Sequence, residues 1–333
     1  MRAELIYNAH AGRVVVRREI DSVVEYLEDS GWTVSLRETP APRAATELAR
    51  RAAARGAEVV IAAGGDGTVN EVASGLVNTG AALGVLPVGT INVWALQMRI
   101  PALNPLGLGA GLAKLVVDLE GRVDHPLPVN YYRSVLLAAA RVLVEGQIHT
   151  VDVGQAHDRT FLMWAGVGLD AAVTVSVSPE DKKALGPWAF VGTALDVVRD
   201  YRSAAVRLEM DGEVRHADAS LIVASNIQLY GGLVRLGARA CIDDGKLDVC
   251  VFKGEGLLNY AQHLFKVASR QHLQDPQIEY HQCQTVVVES STPLPVHVDD
   301  EPFAETPVAI RVVPGALKVI LPRNAPRDLF AGG

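Results

Sequence analysis

Residues 64–71 read Gly64-Gly65-Asp66-Gly67-Thr68-Val69-Asn70-Glu71, directly after the apolar run Val59-Val60-Ile61-Ala62-Ala63. That order is a strand, a glycine-rich turn and a helix. Glycine has no Cβ, so the turn is free to take φ > 0 and to let a bulky anion approach. A helix starting near Thr68 aims its unpaired N–H groups at the same spot, and its dipole favours negative charge there. Thr68 is also of a type that caps a helix. The pattern predicts a phosphate site. Asp66 sits in its middle, where a carboxylate repels phosphate unless a cation or a reacting proton lies between them. The placement points to chemistry on a phosphate as well as binding. The plain alternative is an ordinary tight turn, because Asp and Gly are turn residues.

Two further junctions have the same form. Glu4-Leu5-Ile6-Tyr7 reads as a strand, followed by Asn8-Ala9-His10-Ala11-Gly12 and a helical segment. Leu83-Gly84-Val85-Leu86-Pro87-Val88-Gly89-Thr90-Ile91-Asn92 is again an apolar strand, a glycine turn and a helix start. Three such junctions meet at the carboxyl edge of a parallel sheet, which is where open α/β sheets bind ligands.

The elements that must position these loops follow from periodicity. Residues 18–30 are helical, with Ile20, Val23, Val24 and Leu27 on one face and Gly31 ending the helix. A strand at 32–36 and a helix at 44–55, closed by Gly56, come next. This βα alternation predicts a parallel, Rossmann-like sheet with right-handed crossovers. From about residue 150 the strand-like runs lie closer together, at 150–155, 161–165, 206–210, 214–223, 247–252, 285–289 and 309–313. They predict a mostly antiparallel β domain, interrupted by helices around 188–201 and 257–269. The expected division is an α/β nucleotide-binding domain at 1–149 and a β-rich domain at 150–314. The tail 315–333, with a strand at 317–321, is expected to pack back on the first domain. The active site is expected in the cleft between the two.

Composition narrows the classes. The chain has 333 residues and is 49% hydrophobic, with net charge −7. An acidic chain without clustered Lys and Arg argues against nucleic-acid binding, and against electrostatic adhesion to an anionic membrane as the main attachment unless a local basic patch exists. Three cysteines (Cys241, Cys250, Cys283) make no disulfide framework and fit a reducing cytoplasm. The histidines show no metal-ligand spacing, and no Gly-x-x-x-x-Gly-Lys-Ser/Thr motif occurs. No signal-peptide pattern precedes the first strand. The longest apolar stretches, such as 135–144 with Arg141 inside, fall far short of a membrane span.

At this point the chain resembles the diacylglycerol kinase catalytic-domain family of lipid kinases, which includes bacterial soluble enzymes and sphingosine kinases. The matching pieces are Asn8 to Gly12, Gly64 to Glu71, and Pro87-Val88-Gly89-Thr90-Ile91-Asn92. They continue with Ala165-Gly166-Val167-Gly168-Leu169-Asp170, Ser225-Asn226 with Tyr230-Gly231-Gly232, and Ile242-Asp243-Asp244-Gly245-Lys246-Leu247-Asp248. The last is Pro295-Val296-His297-Val298-Asp299-Asp300-Glu301-Pro302. Each motif alone is weak, but the ordered set spans nearly the whole chain. Residues 103–133 fit the pattern poorly and read as an insertion. Leu112, Leu115, Val116 and Leu119 there form an amphipathic face, read as a core cover or a dimer interface ahead of a membrane-docking element.

The resemblance implies an NAD kinase-like fold and an ATP- and Mg²⁺-dependent lipid kinase. Its acceptor would be a hydroxyl of diacylglycerol or a similar lipid, met at a membrane surface by a cytoplasmic, peripherally attached protein. It places Asn8, Ala9, His10, Ala11, Gly12, Thr39, Gly64, Gly65, Asp66, Gly67, Thr68, Val69, Asn70, Glu71 and Thr90 at the nucleotide. Ala9 stands where the family usually has proline. Cys241, Asp244 and Lys246 match a structural Mg²⁺ loop, with the carboxylate of Asp244 and two backbone carbonyls as ligands, and Asp152 matches another acid of the metal and nucleotide network. Glu301 matches the general base and Asp299 its support, with Asp66 the rival base. Asp300 replaces the family's glycine; if that position needs φ > 0, Asp is among the tolerated residues. Its added charge either raises a neighbour's pKa or attracts Mg²⁺. A literal Asp211-Gly212-Glu213 also occurs, but it lies between two alternating segments and reads as a hairpin turn. Val93 stands where some members have an aspartate, so the acceptor is open. The rivals are an NAD kinase-like enzyme, which shares the Gly-Gly-Asp-Gly-Thr loop, and a non-catalytic lipid-binding or regulatory protein.

Overall fold

The computed structural model describes residues 1–8, 16–89, 92–102, 129–176 and 197–332. The loop residues Ala9, His10, Ala11, Gly12 and Thr90, the face expected at 112–119 and most of the helix expected around 188–201 lie outside the described residues. The chain forms two compact units. One is Met1–Thr150 with Leu317–Pro326, and the other is Val151–Ala316 with the residues from Arg327 on.

The first unit is a parallel sheet with helices. Strand β1 (Arg2–Tyr7) pairs in parallel with β2 (Thr33–Glu38) and β3 (Val59–Gly64). β3 pairs with β4 (Ala82–Pro87), and β4 with Lys318 and Val319 of β17 (Val308–Leu321). β3 and β4 are buried along their whole length, as their unbroken apolar runs require in the middle of a parallel sheet. β2 is mostly exposed, as an edge strand can be. Helix α1 (Val16–Asp29) buries Ile20, Val23 and Leu27. It ends at Gly31, whose φ of 82° is open to glycine at little cost. Helix α2 (Ala44–Ala54) lies against α3 (Asp66–Leu76), so closely that a Cβ on Gly75 would strike the Thr46 carbonyl. Two further helices complete the described part of the unit: α4 (Val93–Gln97) and α5 (Val129–Glu145), which sets Leu143 against Gly84 of β4. Residues 129–133, expected in an insertion, are the first turn and a half of α5.

The second unit is antiparallel. β7 (Trp164–Gly168), β8 (Ala204–Met210) and β12 (Leu247–Lys253) all pair with the long strand β9 (Glu213–Ser225). β14 (Thr285–Ser290) joins β8 to β17, β13 (Ile278–Cys283) flanks β12, and β15 (Pro295–Val298) joins β7 to β16 (Glu301–Glu305). β5 (Gln147–Ala156) pairs with β6 (Arg159–Phe161), and β10 (Leu229–Tyr230) with β11 (Val234–Arg235). Alternate residues such as Val206, Leu208, Met210, Val286, Val288 and Ile310 fill the core. Helices α6 (Leu169–Ser176) and α7 (Leu257–Ala268) belong to this unit.

Three local expectations change. The strand expected at 161–165 is two strands, β6 and β7, broken at Leu162 and Met163. The strands expected at 309–313 and 317–321 are the single strand β17. The tail divides: Leu317–Pro326 lies with the first unit, while Asp328 in the second bonds Arg235 at 2.9 Å.

Candidate active site

Strands β1 to β4 of the first unit end in line. Tyr7 is level with Glu38 and with Ala63, and Gly64 is level with Pro87. The residues that follow, Asn8, Thr39, Gly65 and Val88, therefore stand side by side at one carboxyl edge. Asn8 N–H donates to the Ala63 carbonyl at 3.3 Å, and Thr39 N–H to the Tyr7 carbonyl at 2.9 Å.

Helix α3 begins at Asp66, not near Thr68 as expected. Gly65 is its N-cap, in extended backbone with no side-chain capping bond. Thr68 lies inside the first turn, where its side chain fills the space a Cβ on Gly64 would need. Gly64, Gly65 and Gly89 do not use the left-handed region that glycine leaves open to them. Their role is spatial. A Cβ on Gly89 would come within 2.7 Å of the Gly65 Cα, whereas one on Gly65 would meet nothing closer than 3.8 Å. The two loops touch backbone to backbone, and Gly65 faces open space.

A residue that sequence reading did not single out for a role, Asn92, stitches these loops. Its amide donates to the Gly64 carbonyl at 3.1 Å and accepts from Gly89 N–H at 3.1 Å. The two acids of the Gly64–Glu71 run face backbone amides. Asp66 accepts the N–H groups of Val93 (2.8 Å) and Trp94 (3.2 Å), the first turn of α4. Glu71 accepts those of Arg43 and Ala45, both at 3.0 Å, at the start of α2. Each carboxylate thus sits at the positive end of a neighbouring helix. This is how Asp66 is tolerated beside a phosphate-type loop: its charge is already engaged by donors.

In the second unit, Asp299 and Asp300 form the two-residue turn between β15 and β16, with φ of 45° and 61° and with Val298 paired to Glu301. Asp tolerates this region better than most residues, so the turn accepts it where glycine is usual. The buried Asp299 carboxylate accepts three backbone N–H groups, from Leu162 (2.8 Å), Met163 (3.0 Å) and Trp164 (3.0 Å). These bonds explain the break between β6 and β7. Burial, and secondarily the Asp300 charge, push its carboxyl up to about 7 against the pull of the three amides. Glu301 is ion-paired with the Arg159 guanidinium, which also lies 5.8 Å over the Phe303 ring.

Two residues before this turn on β15, His297 bonds Asp170 Oδ2 at the start of α6, as does Tyr230. His297 is wholly buried, and a Cβ on Gly166 would strike its ring. Burial alone raises the Asp170 carboxyl, but His297 and Tyr230 hold it below its usual range. The same pairing overcomes burial to raise His297.

Asp152 ties two loops together, accepting Gly245 N–H and Gly315 N–H, both at 2.7 Å. Asp244 accepts Lys246 N–H at 3.0 Å. Burial raises both carboxyls; the Asp243 charge adds to each, and the Asp152 charge adds to that of Asp244. Such mutual repulsion suits a bound cation. Among the described residues no three His, Cys, Asp or Glu side chains group as a metal site. A cation here would therefore rely on backbone oxygens, such as those of Cys241 and Lys246, beside Asp244, a donor set that fits a hard ion. The literal Asp211-Gly212-Glu213 is a hairpin turn: Asp211 and Gly212 have φ of 48° and 87°, and Met210 pairs with Glu213.

Comparison with known proteins matches residues 2–119 to the diacylglycerol kinase catalytic domain and residues 164–321 to the YegS C-terminal NAD kinase beta sandwich-like domain. A diacylglycerol kinase of Bacillus subtilis (strain 168) is 26% identical over 98% of this chain and 99% of its own length. One from Staphylococcus aureus (strain JH9) is 28% identical over 90% of this chain and 86% of its own. A crystal structure of a diacylglycerol kinase from Bacillus anthracis str. Sterne shares the fold, with a TM-score of 0.67 at 18% identity, covering 97% of this chain and 98% of that one.

Proposed function

The chain belongs to the diacylglycerol kinase catalytic-domain family of lipid kinases, and from that premise we propose that it moves the γ-phosphoryl group of ATP to a hydroxyl of diacylglycerol or a closely similar lipid. The observation that carries this reading is the level carboxyl edge of β1–β4. Asn8, Thr39, Gly65 and Gly89 stand together there, and a side chain at Gly89 would fill the junction. Phosphoryl transfer asks a protein mainly for positioning and charge stabilisation. The Gly64–Gly65 turn and the first amides of α3 would cradle phosphate oxygens. Thr90 and Ala9 to Gly12 complete the proposed nucleotide set.

In the proposed step the acceptor oxygen bonds to the γ-phosphorus as the bond to the β–γ bridging oxygen breaks and ADP departs. The hydroxyl proton passes to Glu301. Arg159 fixes the direction of that carboxylate, and the three amides on Asp299 fix the turn that carries it. Asp66 serves here as a positioning residue, because both its oxygens hold the start of α4. The Asp244 carboxylate with the Cys241 and Lys246 carbonyls would hold Mg²⁺ and so brace that loop, and Mg²⁺ at the nucleotide would supply charge to offset the phosphates.

The test is phosphate transfer from radiolabelled ATP over a panel of diacylglycerol, other hydroxylated lipids and NAD, with and without EDTA. Labelled lipid that disappears with EDTA is the expected result. Labelled NAD instead would make this an NAD kinase-like enzyme, and no labelled product would leave a non-catalytic lipid-binding protein.

A further inference from the structure

Helix α7 presents its apolar side outward. The side facing the protein carries His263, whose Nε2 bonds the Lys253 carbonyl at 2.8 Å, and Val267. The outer side carries Leu257, Leu258, Ala261, Leu264, Phe265 and Ala268, all exposed, with Leu258 at 75% and Phe265 at 65%. At about 100° per residue these six form one unbroken strip roughly 120° wide. Beside the helix lies β11, and just ahead of that strand Leu233 is exposed as well. Single exposed leucines need no explanation, but a contiguous strip of this kind marks a docking face.

Charge says what docks. From Leu257 to Arg270 there is no acidic residue, and the only charged side chains are Lys266 and Arg270, in a chain of net charge −7. An apolar strip on a segment whose only two charged side chains, Lys266 and Arg270, are both basic suits an anionic bilayer, into which such a helix sinks lying flat. Among the described residues no helix is long and apolar enough to cross a membrane. We propose that helix α7 and Leu233 form the surface on which this protein docks to an anionic lipid bilayer. The choice of partner rests on the lipid kinase reading above; the strip itself does not.

The experiment is flotation of the full-length protein with vesicles of phosphatidylcholine alone and of equimolar phosphatidylcholine and phosphatidylglycerol. The parent should float with the anionic vesicles. The double variant Leu258→Glu/Phe265→Glu should lose about tenfold or more of that partition while melting like the parent. It should also keep its activity on a short-chain diacylglycerol dissolved below its micelle concentration. Should that variant misfold, Lys266→Glu/Arg270→Glu takes its place and should lose binding to the anionic vesicles. A parent that does not float, or variants that float like it, would overturn the proposal. So would a dimer by sedimentation velocity that Leu258→Glu/Phe265→Glu converts to monomers, since a second copy would then own the face. Flotation that depends on the strip, in a protein that phosphorylates no lipid, would retain the docking surface and reject the kinase reading. Activity on the short-chain lipid with strip-independent flotation would do the reverse.

Discussion

The Glu301 carboxylate is ion-paired with Arg159, a residue on the far side of the Asp299–Asp300 turn in sequence by well over a hundred positions. The pair lies on the surface of the β unit, with Glu301 at 37% side-chain exposure. A carboxylate so held has a fixed direction, which a proton acceptor needs before its basicity matters. Glu301→Gln should therefore cut turnover by roughly 10²–10⁴-fold with ATP affinity nearly unchanged. Glu213→Gln is the matched control and should be silent, because Glu213 opens β9 after a hairpin turn. An essential Glu213 beside a dispensable Glu301 would reverse the assignment.

The Asp299–Asp300 turn has a pH signature. The Asp299 carboxyl is pushed up to about 7 by burial and by the Asp300 charge. A folded-state value above the unfolded one means that the folded protein holds this proton more tightly. That contribution is fully present below about pH 4 and is lost as pH rises through about 7. Asp300→Gly removes the neighbouring charge, lowers the Asp299 value and so shrinks the loss. Glycine is also at ease at φ 61°. The melting temperature of Asp300→Gly should exceed that of the parent by a margin that grows between about pH 5 and about pH 7. A margin independent of pH would count against this account.

The glycine loops separate folding from binding. Gly65 has extended backbone and open space, so Gly65→Val should fold. Its side chain would stand where phosphate is proposed, and calorimetry with a non-hydrolysable ATP analogue should find no binding. Gly89→Ala places a Cβ 2.7 Å from the Gly65 Cα, a clash with backbone that has no rotamer to move away. It should cost about 1–3 kcal/mol by melting or denaturant titration. Full nucleotide affinity in a folded Gly65→Val would reduce this loop to a turn.

What the sequence made legible was local. Apolar runs, glycine punctuation and βα spacing placed β1, β3, β4 and α1–α3 to within a few residues, because each signal lies inside its own element. Asp66 and Glu71 were visible as acids in a phosphate-type loop, but their amide partners lie on other helices at Val93, Trp94, Arg43 and Ala45. No spacing rule joins such distant groups. The same holds for Asn92 between Gly64 and Gly89, and for the amides of Leu162 and Met163, whose turn toward Asp299 ends β6. The buried trio Asp170, Tyr230 and His297 was present in the quoted motifs, yet only the pairing of β7 with β15 brings His297 beside Gly166. The wheel of α7 was equally readable, but a strip of leucines at helical spacing is ordinarily core, and only the fold shows it facing out.

The proposed roles of Asp244 and Asp66 separate in a Mg²⁺ titration. If a cation braces the loop of Cys241, Asp244 and Lys246, it binds the folded state alone and raises the melting temperature as its concentration rises. Asp244→Ala should abolish that Mg²⁺-dependent rise, since it removes the side-chain oxygen of the site and leaves only carbonyls. Asp66→Ala should behave in the opposite way. It deprives Val93 and Trp94 of their acceptor at the start of α4, an effect comparable to losing an N-cap, at about 0.5–2 kcal/mol. That loss should appear with or without Mg²⁺ and should leave the Mg²⁺-dependent rise in place, while activity falls as the Gly64–Gly89 junction loosens. Asp66→Asn, which keeps one acceptor oxygen, should recover part of the stability. Melting curves of the parent and the three variants across a Mg²⁺ titration read all of this in one experiment. If Asp244→Ala tracks the parent at every Mg²⁺ concentration, the Asp244 loop is an ordinary turn held by Asp152 and carries no metal.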